Sequence, residues 1–262
     1  MDPALRAAAT GMRAQQTRTE VIANNLANVN TTGFKRSRAQ FADLLYQTVQ
    51  GAATVGGSDA ATLPSIQIGR GTRLVAVQRL NSQGAVEATS RPLDLAVEGE
   101  GYLQVQLGNS ITGYTRDGSL QISDQGTLVT SDGHTVVPGI KIPSDAQTIT
   151  ITPNGIVSAT TGTNTAPTEL GRIELARFAN PTGLQAMGGN IFQATPASGE
   201  AVTGYPDEEG MGQLLQGHLE GSNVEIVQEM VDMIAAQRAY DINSKTIKNS
   251  EQMAETANSL VR

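Results

Sequence analysis

The chain has 262 residues, enough for one or two domains, with no Cys, no Trp, two His and a formal net charge of −7. The lack of Cys excludes disulfides, a thiol nucleophile and Cys-ligated metal, and the negative charge argues against nucleic acid as a main partner. No stretch approaches the apolar length of a membrane span, and no apolar signal-peptide core follows Met1-Asp2. We therefore expect no metal, no cofactor and no insertion in a membrane.

Residues 1–35 predict one helix of a coiled-coil core, with Asp2-Pro3 as its N-cap and first helical position. Two rows of side chains repeat every seven residues and are offset by three: Leu5, Met12, Thr19 and Leu26, and Ala8, Gln15, Ile22 and Val29. An a/d pattern of this kind predicts that the helix, which should run to about Val29, pairs with another helix.

Four asparagines, Asn24, Asn25, Asn28 and Asn30, crowd the end of this helix. Asn is a poor helix former whose side chain bonds readily to nearby backbone, so the cluster predicts hydrogen bonds that hold a specific contact or turn. Gly33 follows as a point where the chain can reverse.

Residues 36–72 are predicted to form an extended connector. Phe41, Leu44, Leu45 and Val49 give Ser37–Gln50 a helical spacing. The following Gly51–Pro64 is rich in Gly, Ala and Thr without a period, which by itself is typical of a flexible linker.

Residues 73–221 predict an antiparallel β domain built from hairpins. Its strands are expected at Leu74–Val77, Leu93–Val97, Tyr102–Leu107, Ser119–Ile122, Thr127–Thr130, Ile149–Ile151, Ile156–Ala159 and Ile173–Phe178, with Leu214–Glu220 last. Turn signals separate many of them: Asp117-Gly118, Gln125-Gly126, Asp132-Gly133, Asn154-Gly155 and Asn180-Pro181.

Residues 222–262 predict a second, longer helix that opens with a Ser222/Glu225 capping box and would be about 58 Å long. Every seventh residue forms one row: Ile226, Met233, Tyr240, Ile247, Ala254 and Val261. Glu229 and Asp232 lie off this row and should tolerate substitution better. The two terminal helices are expected to pair, since residues 1–45 carry six basic and three acidic groups and residues 223–262 carry four and six. Two amphipathic helices packed on one globular core are the alternative.

Catalytic patterns are weak throughout the chain. Gly69-Arg70-Gly71 and Gly99-Glu100-Gly101 are fragments of phosphate-loop patterns, and turn glycines explain both. Ser222 could be imagined as a nucleophile, but its role as a helix cap explains it. We therefore expect a protein that is not an enzyme.

Both ends of the chain resemble the signatures of bacterial flagellar rod and hook proteins. The N-terminal run is ANNLANVNTTGFKRSRAQFADLLYQTV and the C-terminal run is LEGSNVEIVQEMVDMIAAQRAYDINSKTI. Within that family, FADLLYQTV and LPSIQIGRGTR are most similar to the distal rod, and YTRDGSLQISDQGTLVTSDG extends the resemblance through the middle. Residues 51–61 depart from the family's loop sequence.

The resemblance implies a structural subunit that assembles helically into a drive shaft, with the helices as an inner layer and the β domain as an outer layer. The implied partners are copies of itself in a helical tube, proximal rod proteins, the hook or hook-side proteins, the P-ring and L-ring proteins, the rod cap and the flagellar type III export apparatus. The protein would lie in the rod, from periplasm to outer membrane, after export without signal cleavage. The connector would then pack between neighbouring subunits and stiffen the tube.

Side chains on the two helices are the candidate assembly interface: Leu5, Met12, Ile22, Asn24, Asn25, Leu26, Asn28, Val29, Ile226, Met230, Met233, Gln237, Tyr240, Asn243, Ile247 and Ala254. Polar members such as Gln237 and Asn243 would specify the register between helices. The alternatives are a proximal rod or hook protein of the same family and, from another class, a cell-wall hydrolase with helical arms.

Overall fold

The computed structural model describes residues 3–50, 53–55, 61–63, 65–108, 111–162, 164–208 and 210–260. The fold is α+β, with an N-terminal helix, a central antiparallel β region and a C-terminal helix, as predicted. The chain divides into two compact units. Unit 1 comprises Met1–Leu26, Ser37–Gln78 and Glu225–Arg262, and unit 2 comprises Ala27–Arg36 and Arg79–Val224.

Unit 1 contains the two long helices, α1 (Pro3–Ala27) and α2 (Ile226–Leu260), and a two-stranded ribbon. Each side of the ribbon is divided into three short strands. They are β1 (Ser37–Asp43), β2 (Gln47–Gln50) and β3 (Ala53–Val55) on one side, and β4 (Ala61–Leu63), β5 (Ile66–Ile68) and β6 (Thr72–Arg79) on the other. They pair as nested hairpins, β1 with β6, β2 with β5 and β3 with β4. The described parts of the connector therefore pair with one another as an antiparallel arm.

The helical interpretation of Ser37–Gln50 is wrong, because this segment forms β1 and β2. Their backbone hydrogen bonds go to strands that follow later in the chain, and Thr48 of β2 lies opposite Gln67 of β5. A local spacing of apolar residues carries no information about such a distant partner. Leu74–Val77 is a strand as predicted, but it lies in β6 and pairs with β1 in unit 1.

The Gly-, Ala- and Thr-rich segment Gly51–Pro64 is described in part. Its strands β3 and β4 pair in antiparallel register, with Thr54 opposite Thr62. Residues 51, 52, 56–60 and 64, on which part of the linker prediction falls, lie outside the described residues.

Unit 2 is built from short strands joined by tight turns. They are β7 (Val86–Ala88), β8 (Leu95–Glu98), β9 (Tyr102–Leu107), β10 (Ile111–Thr115), β11 (Leu120–Ile122), β12 (Leu128–Thr130), β13 (Thr135–Val136), β14 (Ala146–Ile151), β15 (Ile156–Thr161), β16 (Asn164–Arg172), β17 (Leu175–Arg177), β18 (Gln185–Gly188), β19 (Ile191–Gln193), β20 (Val202–Gly204), β21 (Gln213–Gln216) and β22 (His218–Glu220).

A nine-stranded sheet runs in the order β11-β12-β13-β9-β10-β19-β18, with β17 also paired to β9 and β20 paired to β17. Strands β14, β15 and β16 form a second sheet, while β8 pairs with β21 and β7 with β22. The main core lies between these sheets and includes the fully buried Leu95, Leu103, Leu175 and Leu214. A smaller aromatic cluster contains Tyr102, Tyr114, Phe178 and Phe192.

Most predicted strands of the β domain are confirmed. Tyr102–Leu107 is the strand β9 with the same bounds, and the predicted last strand is interrupted at Gly217 between β21 and β22. The turn signals are explained by backbone conformation, since Gly126, Gly133 and Gly155 all have positive φ, where an L side chain is strained. Gly71, Gly99 and Gly101 also have positive φ, which agrees with their interpretation as turn glycines.

The helix ends differ from the predicted ones. Helix α1 ends at Ala27, two residues before Val29, and Asp2, its predicted N-cap, lies outside the described residues. Helix α2 begins at Ile226. Ser222 Oγ accepts a hydrogen bond from Val224 N–H at 3.3 Å, so Ser222 forms a local turn before the helix instead of the predicted capping box. The division into 1–35, 36–72, 73–221 and 222–262 as functional regions stays a prediction.

Candidate assembly site

Helices α1 and α2 lie side by side in unit 1. A Cβ built on Gly11 would lie 2.9 Å from Asn243 Nδ2, and Asn25 Nδ2 donates to Glu229 Oε2 at 3.2 Å. Residue numbers rise by fourteen between the α1 members of these two pairs and fall by fourteen between the α2 members. The helices are therefore in contact in antiparallel register, while their coiled-coil pairing stays a prediction.

The side chains of α2 that are buried in unit 1 form a row whose members are either small or polar. Glu229, Ala236 and Ser250 are buried, Asn243 is half-buried, and these four residues are spaced by seven. The repeat of seven is thus present, but the buried row stands three residues after the apolar row that begins at Ile226. Small side chains at a helix contact allow the helices a short interaxial distance.

Glu229 and Asp232, which the sequence placed off the contact, in fact face α1. Glu229 is 1% exposed and accepts from Asn25, and Arg18 Nη2 donates to Asp232 Oδ1 at 2.8 Å. The structure places both carboxylates against α1, and their tolerance of substitution stays a prediction.

On α1 the predicted row of Ala8, Gln15 and Ile22 is the inner one, with Ala8 and Ile22 buried. The second inner row contains Gly11, Arg18 and Asn25, three residues after Ala8, Gln15 and Ile22. The other predicted row consists of Leu5, Met12, Thr19 and Leu26. It lies on the opposite side of the Ala8 row from Gly11, and its members are half-buried.

The structure distributes the candidate interface residues over three classes of burial. Ile22 and Asn25 are buried; Leu5, Met12, Leu26, Asn28, Val29, Met233, Asn243 and Ile247 are half-buried; Asn24, Ile226, Met230, Gln237, Tyr240 and Ala254 are exposed. The contact between α1 and α2 therefore uses only part of the set.

An exposed apolar patch covers the beginning of α2. It consists of Ile226, Val227, Met230, Val231 and Ile234, and each is about half exposed or more, up to 76% for Val227. These positions follow the spacing i, i+1, i+4, i+5, i+8 and lie on one side of the helix. We call this set the α2 patch.

The ribbon also exposes apolar side chains: Leu45, Tyr46, Val49, Ile66, Ile68, Leu74, Val75 and Val77. Contiguous exposed apolar surface is typical of interaction sites. Unit 1 thus presents two such surfaces, one on α2 and one on the arm.

Asn25 explains the asparagine cluster. Its Oδ1 accepts from Ser37 N–H at 2.9 Å, and its Nδ2 donates to Ser37 O at 2.8 Å as well as to Glu229. One amide thus satisfies the backbone at the start of β1 and joins it to both helices. The prediction that this cluster holds a specific contact is confirmed for Asn25.

Unit 2 contains a buried charge cluster that sequence reasoning missed. Glu220 Oε1 accepts from Lys35 Nζ at 2.5 Å, and Glu220 Oε2 accepts from Arg116 Nη1 at 3.1 Å. Arg116 also donates to the carbonyl oxygens of Val97 and Gly99. Burial lowers the pKa of Lys35 from its ordinary value, although its hydrogen bond to Glu220 acts in the opposite direction.

Gly33 is adjacent to this cluster and needs its glycine. It has a φ of +67°, its N–H donates to Glu220 O at 2.8 Å, and a Cβ would lie 2.8 Å from the backbone of Arg116 and Asp117. The predicted chain reversal at Gly33 is confirmed. The only signal of the cluster in the sequence was the proximity of Lys35 to this glycine.

Within the described ranges, no group of three or more His, Cys, Asp or Glu side chains could hold a metal ion. None of the described helices has the length and hydropathy to cross a membrane.

Three family profiles match the chain in the order expected for one class of protein. They are "Flagella basal body rod protein" at residues 5–35, "Flagellar hook protein FlgE/F/G D1 domain" at residues 96–159 and "Flagellar basal body rod FlgEFG protein C-terminal" at residues 215–260. Terminal helices that are in contact with each other and a β region between them in the sequence, together with these matches, define a flagellar rod and hook protein.

Relatives in three bacteria narrow this class. The chain is 49% identical to the flagellar basal-body rod protein FlgG of Borreliella burgdorferi, covering 99% of the chain and 98% of the relative. It is 47% identical to FlgG of Caulobacter vibrioides, with 98% of both covered, and 39% identical to FlgG of Bacillus subtilis, with 97% of both covered. The chain belongs to the FlgG family of flagellar basal-body rod proteins. It is a structural subunit of the distal rod of the bacterial flagellum, which confirms the resemblance found in the sequence.

Proposed function

We propose that this chain assembles helically with copies of itself into the distal rod, and that the α2 patch is a principal contact between copies. The observation that carries the proposal is the exposure of Ile226, Val227, Met230, Val231 and Ile234 on one side of α2. About half of each of these side chains, or more, is still exposed, so burying the remainder would contribute about 1–2 kcal/mol per side chain. A patch of this size is stabilised when a neighbouring copy covers it.

The residues of the predicted interface then divide into two roles. Asn25 and Ile22, which are buried, hold α1 against α2 within one chain. Ile226, Met230, Gln237, Tyr240 and Ala254, which are exposed, are available to other copies. The half-buried members, such as Met233 and Ile247, would be covered further on assembly.

The arm formed by β1 to β6 is proposed to pack between neighbouring subunits and to stiffen the tube. Its exposed Leu45, Val49 and Ile66 support this role, because an isolated two-stranded ribbon is at best marginally stable in water. Apolar contacts along its length would supply the missing stabilisation.

The remaining assignments follow from family membership and are proposals. The rod would transmit torque through the periplasm and the ring bushing to the hook. Its partners would be proximal rod proteins, hook-side proteins, the P-ring and L-ring proteins, the rod cap and the type III export apparatus. Export would proceed without a cleaved signal peptide, and we propose that the chain has no enzymatic activity, as its relatives carry the names of structural proteins.

The test replaces Met230 by Glu in the full chain. A charge in a surface that assembly buries costs several kcal/mol, whereas in the monomer Met230 is 52% exposed and the charge stays solvated. The monomer's thermal midpoint should hardly change, while rod assembly, followed by sedimentation and electron microscopy, should be lost.

The matched control is Ala23→Glu, which adds the same side chain at an exposed position of α1 and should leave assembly intact. Normal rods from Met230→Glu would contradict the proposal. So would a large drop in the monomer's own thermal midpoint, because the patch would then be buried within one chain.

A further inference from the structure

A cavity of about 400 Å³ lies in unit 1 beside α1. The side chains of Ala14, Leu44 and Leu74 line it with apolar atoms, and Arg13, Arg73 and Thr17 line it with polar ones. No acidic residue is among the residues that line it, and neither arginine has an ion-pair partner among the described side chains. We call it the basic cavity.

The chemistry of the basic cavity favours a carboxylate presented on a small apolar surface. Arginine offers a planar fork of N–H donors that matches a carboxylate, and it keeps its charge at every pH of interest. Arg13 and Arg73 are exposed in one copy, so an element of a second copy that covers them would exclude water and strengthen such an ion pair.

The part of α2 that follows Ser250 is uncovered in unit 1 as far as residue 256. Ser250 is buried, and residues 251 to 256 are all exposed. The antiparallel register explains this, because α1 as described begins at Pro3, eight residues before Gly11, and so reaches only to about residue 251 of α2. We call Glu251–Thr256 the overhang.

The overhang has the chemistry that the cavity requires. Glu251 and Glu255 are four residues apart and lie on one side of the helix, with Ala254 between them on the same side. Neither carboxylate has an ion-pair partner among the described side chains. The overhang thus presents two carboxylates and the small Ala254 on one side of the helix.

The overhang does not reach the basic cavity of its own chain. Arg13 lies opposite about residue 241 in the antiparallel register, so ten residues of straight helix, about 15 Å, separate its level from Glu251. Beyond Glu251 the helix continues away from that level. The occupant must therefore come from another copy.

We propose that the overhang of one copy docks in the basic cavity of a second copy, with Glu251 and Glu255 paired to Arg13 and Arg73. The contact joins two different surfaces, so it is heterologous and can be repeated from copy to copy without closing. This proposal rests on the proposed self-assembly and names one contact within it.

The test uses charge reversal in the full-length chain. The cavity variant Arg13→Glu/Arg73→Glu and the overhang variant Glu251→Arg/Glu255→Arg each oppose like charges, and each should raise the concentration needed for rod assembly by about tenfold or more. The variant with all four changes restores opposite charges and should assemble close to the wild type. The control Arg6→Glu/Arg38→Glu changes the net charge equally at exposed positions away from the cavity and should have little effect.

Mixing the two double variants distinguishes a contact between copies from one within a copy. The cavity variant has an acidic cavity and an acidic overhang, and the overhang variant has a basic cavity and a basic overhang. An equal mixture should therefore assemble by alternation at a total concentration at which neither variant assembles alone. Rescue by the fourfold variant but not by the mixture would overturn the proposal.

Normal assembly of both double variants would overturn the docking proposal and leave the proposed function standing. Failure of the wild-type chain to assemble under conditions that keep it folded would instead overturn the proposed function. The two failures are thus separated by the wild-type control.

Discussion

Glu220 and Lys35 form an ion pair of 2.5 Å in which the side chains are 0% and 1% exposed. Lys35 lies in the first segment of unit 2 and Glu220 in the last, separated by 185 positions in the sequence. The same carboxylate accepts from Arg116 and from Gly84 N–H, and Lys35 also donates to Ser82 O. One carboxylate therefore joins four parts of unit 2 through charge-assisted hydrogen bonds.

The first prediction is that Glu220→Ala destabilises unit 2. The change leaves two cations buried without their carboxylate, and breaking a buried pair in this way costs about 3–5 kcal/mol. Urea denaturation of the full-length chain should show the loss as a lower midpoint with a similar slope.

Glu208→Ala is the matched control for this prediction. Glu208 Oε1 accepts from Arg172 Nη2 at 2.7 Å, but its side chain is 51% exposed, so its ion pair should contribute about 0–1 kcal/mol. Equal effects of the two substitutions would mean that the buried cluster is not what stabilises unit 2.

The second prediction concerns alkaline pH. Burial raises the pKa of Tyr102 and Tyr114 above the ordinary tyrosine value of about 10. Above that pH the unfolded chain releases phenolic protons that the native chain retains. The native state then binds more protons, so its stability falls as pH rises.

Replacing Tyr102 by Phe removes one of these protons. The free energy of unfolding of the variant, measured by urea denaturation above pH 10, should fall less steeply, by up to about 1.4 kcal/mol per pH unit. The lowered pKa of Lys35 has the opposite effect on stability, which it raises with pH at pH values below the ordinary pKa of lysine. This contribution is present in both proteins and cancels in the difference. Parallel pH profiles of the two proteins would count against the prediction.

Local sequence predicts unit 2 better than unit 1. Strand β9 and the turns at Gly126 and Gly155 depend on alternating apolar residues and on glycines with positive φ, and both signals are local. The ribbon depends on pairing between Ser37–Asp43 and Thr72–Arg79, about thirty residues apart, and no property of either segment names the other. Spacing alone therefore misassigned β1.

The contact between α1 and α2 uses a different row of side chains from the predicted one, for a different physical reason. The sequence correctly predicts a repeat of seven, but it predicts the most apolar row as the inner one. In unit 1 Asn25 and Glu229 satisfy each other across the helices, and Gly11 leaves room for Asn243, so a polar row is inside and an apolar row outside. In a monomer that order is costly, but in a subunit whose apolar row meets other copies it is not.

The last prediction tests the close approach at Gly11, for which Ala9→Val is the control. Ala9 is exposed on α1, so the same β-branched residue placed there should leave assembly nearly unchanged. In helix propensity alone, Ala→Val is unfavourable and Gly→Val is favourable, each by about a few tenths of a kcal/mol, so a loss of assembly in the Gly11 variant would not come from a general effect of valine.

Gly11→Val should weaken the contact between α1 and α2 and reduce rod assembly. Its Cβ alone would lie 2.9 Å from Asn243 Nδ2, and its two methyl groups need further space on the side where α2 packs. Asn243→Ala shortens the opposing side chain, so the double variant should assemble better than Gly11→Val alone, with a coupling of about 0.5–3 kcal/mol between the two sites. Sedimentation of assembled rods from the four proteins of this cycle measures the coupling. Strictly additive effects would show that Gly11 and Asn243 do not limit each other, and the antiparallel register would then lose one of the two contacts that define it.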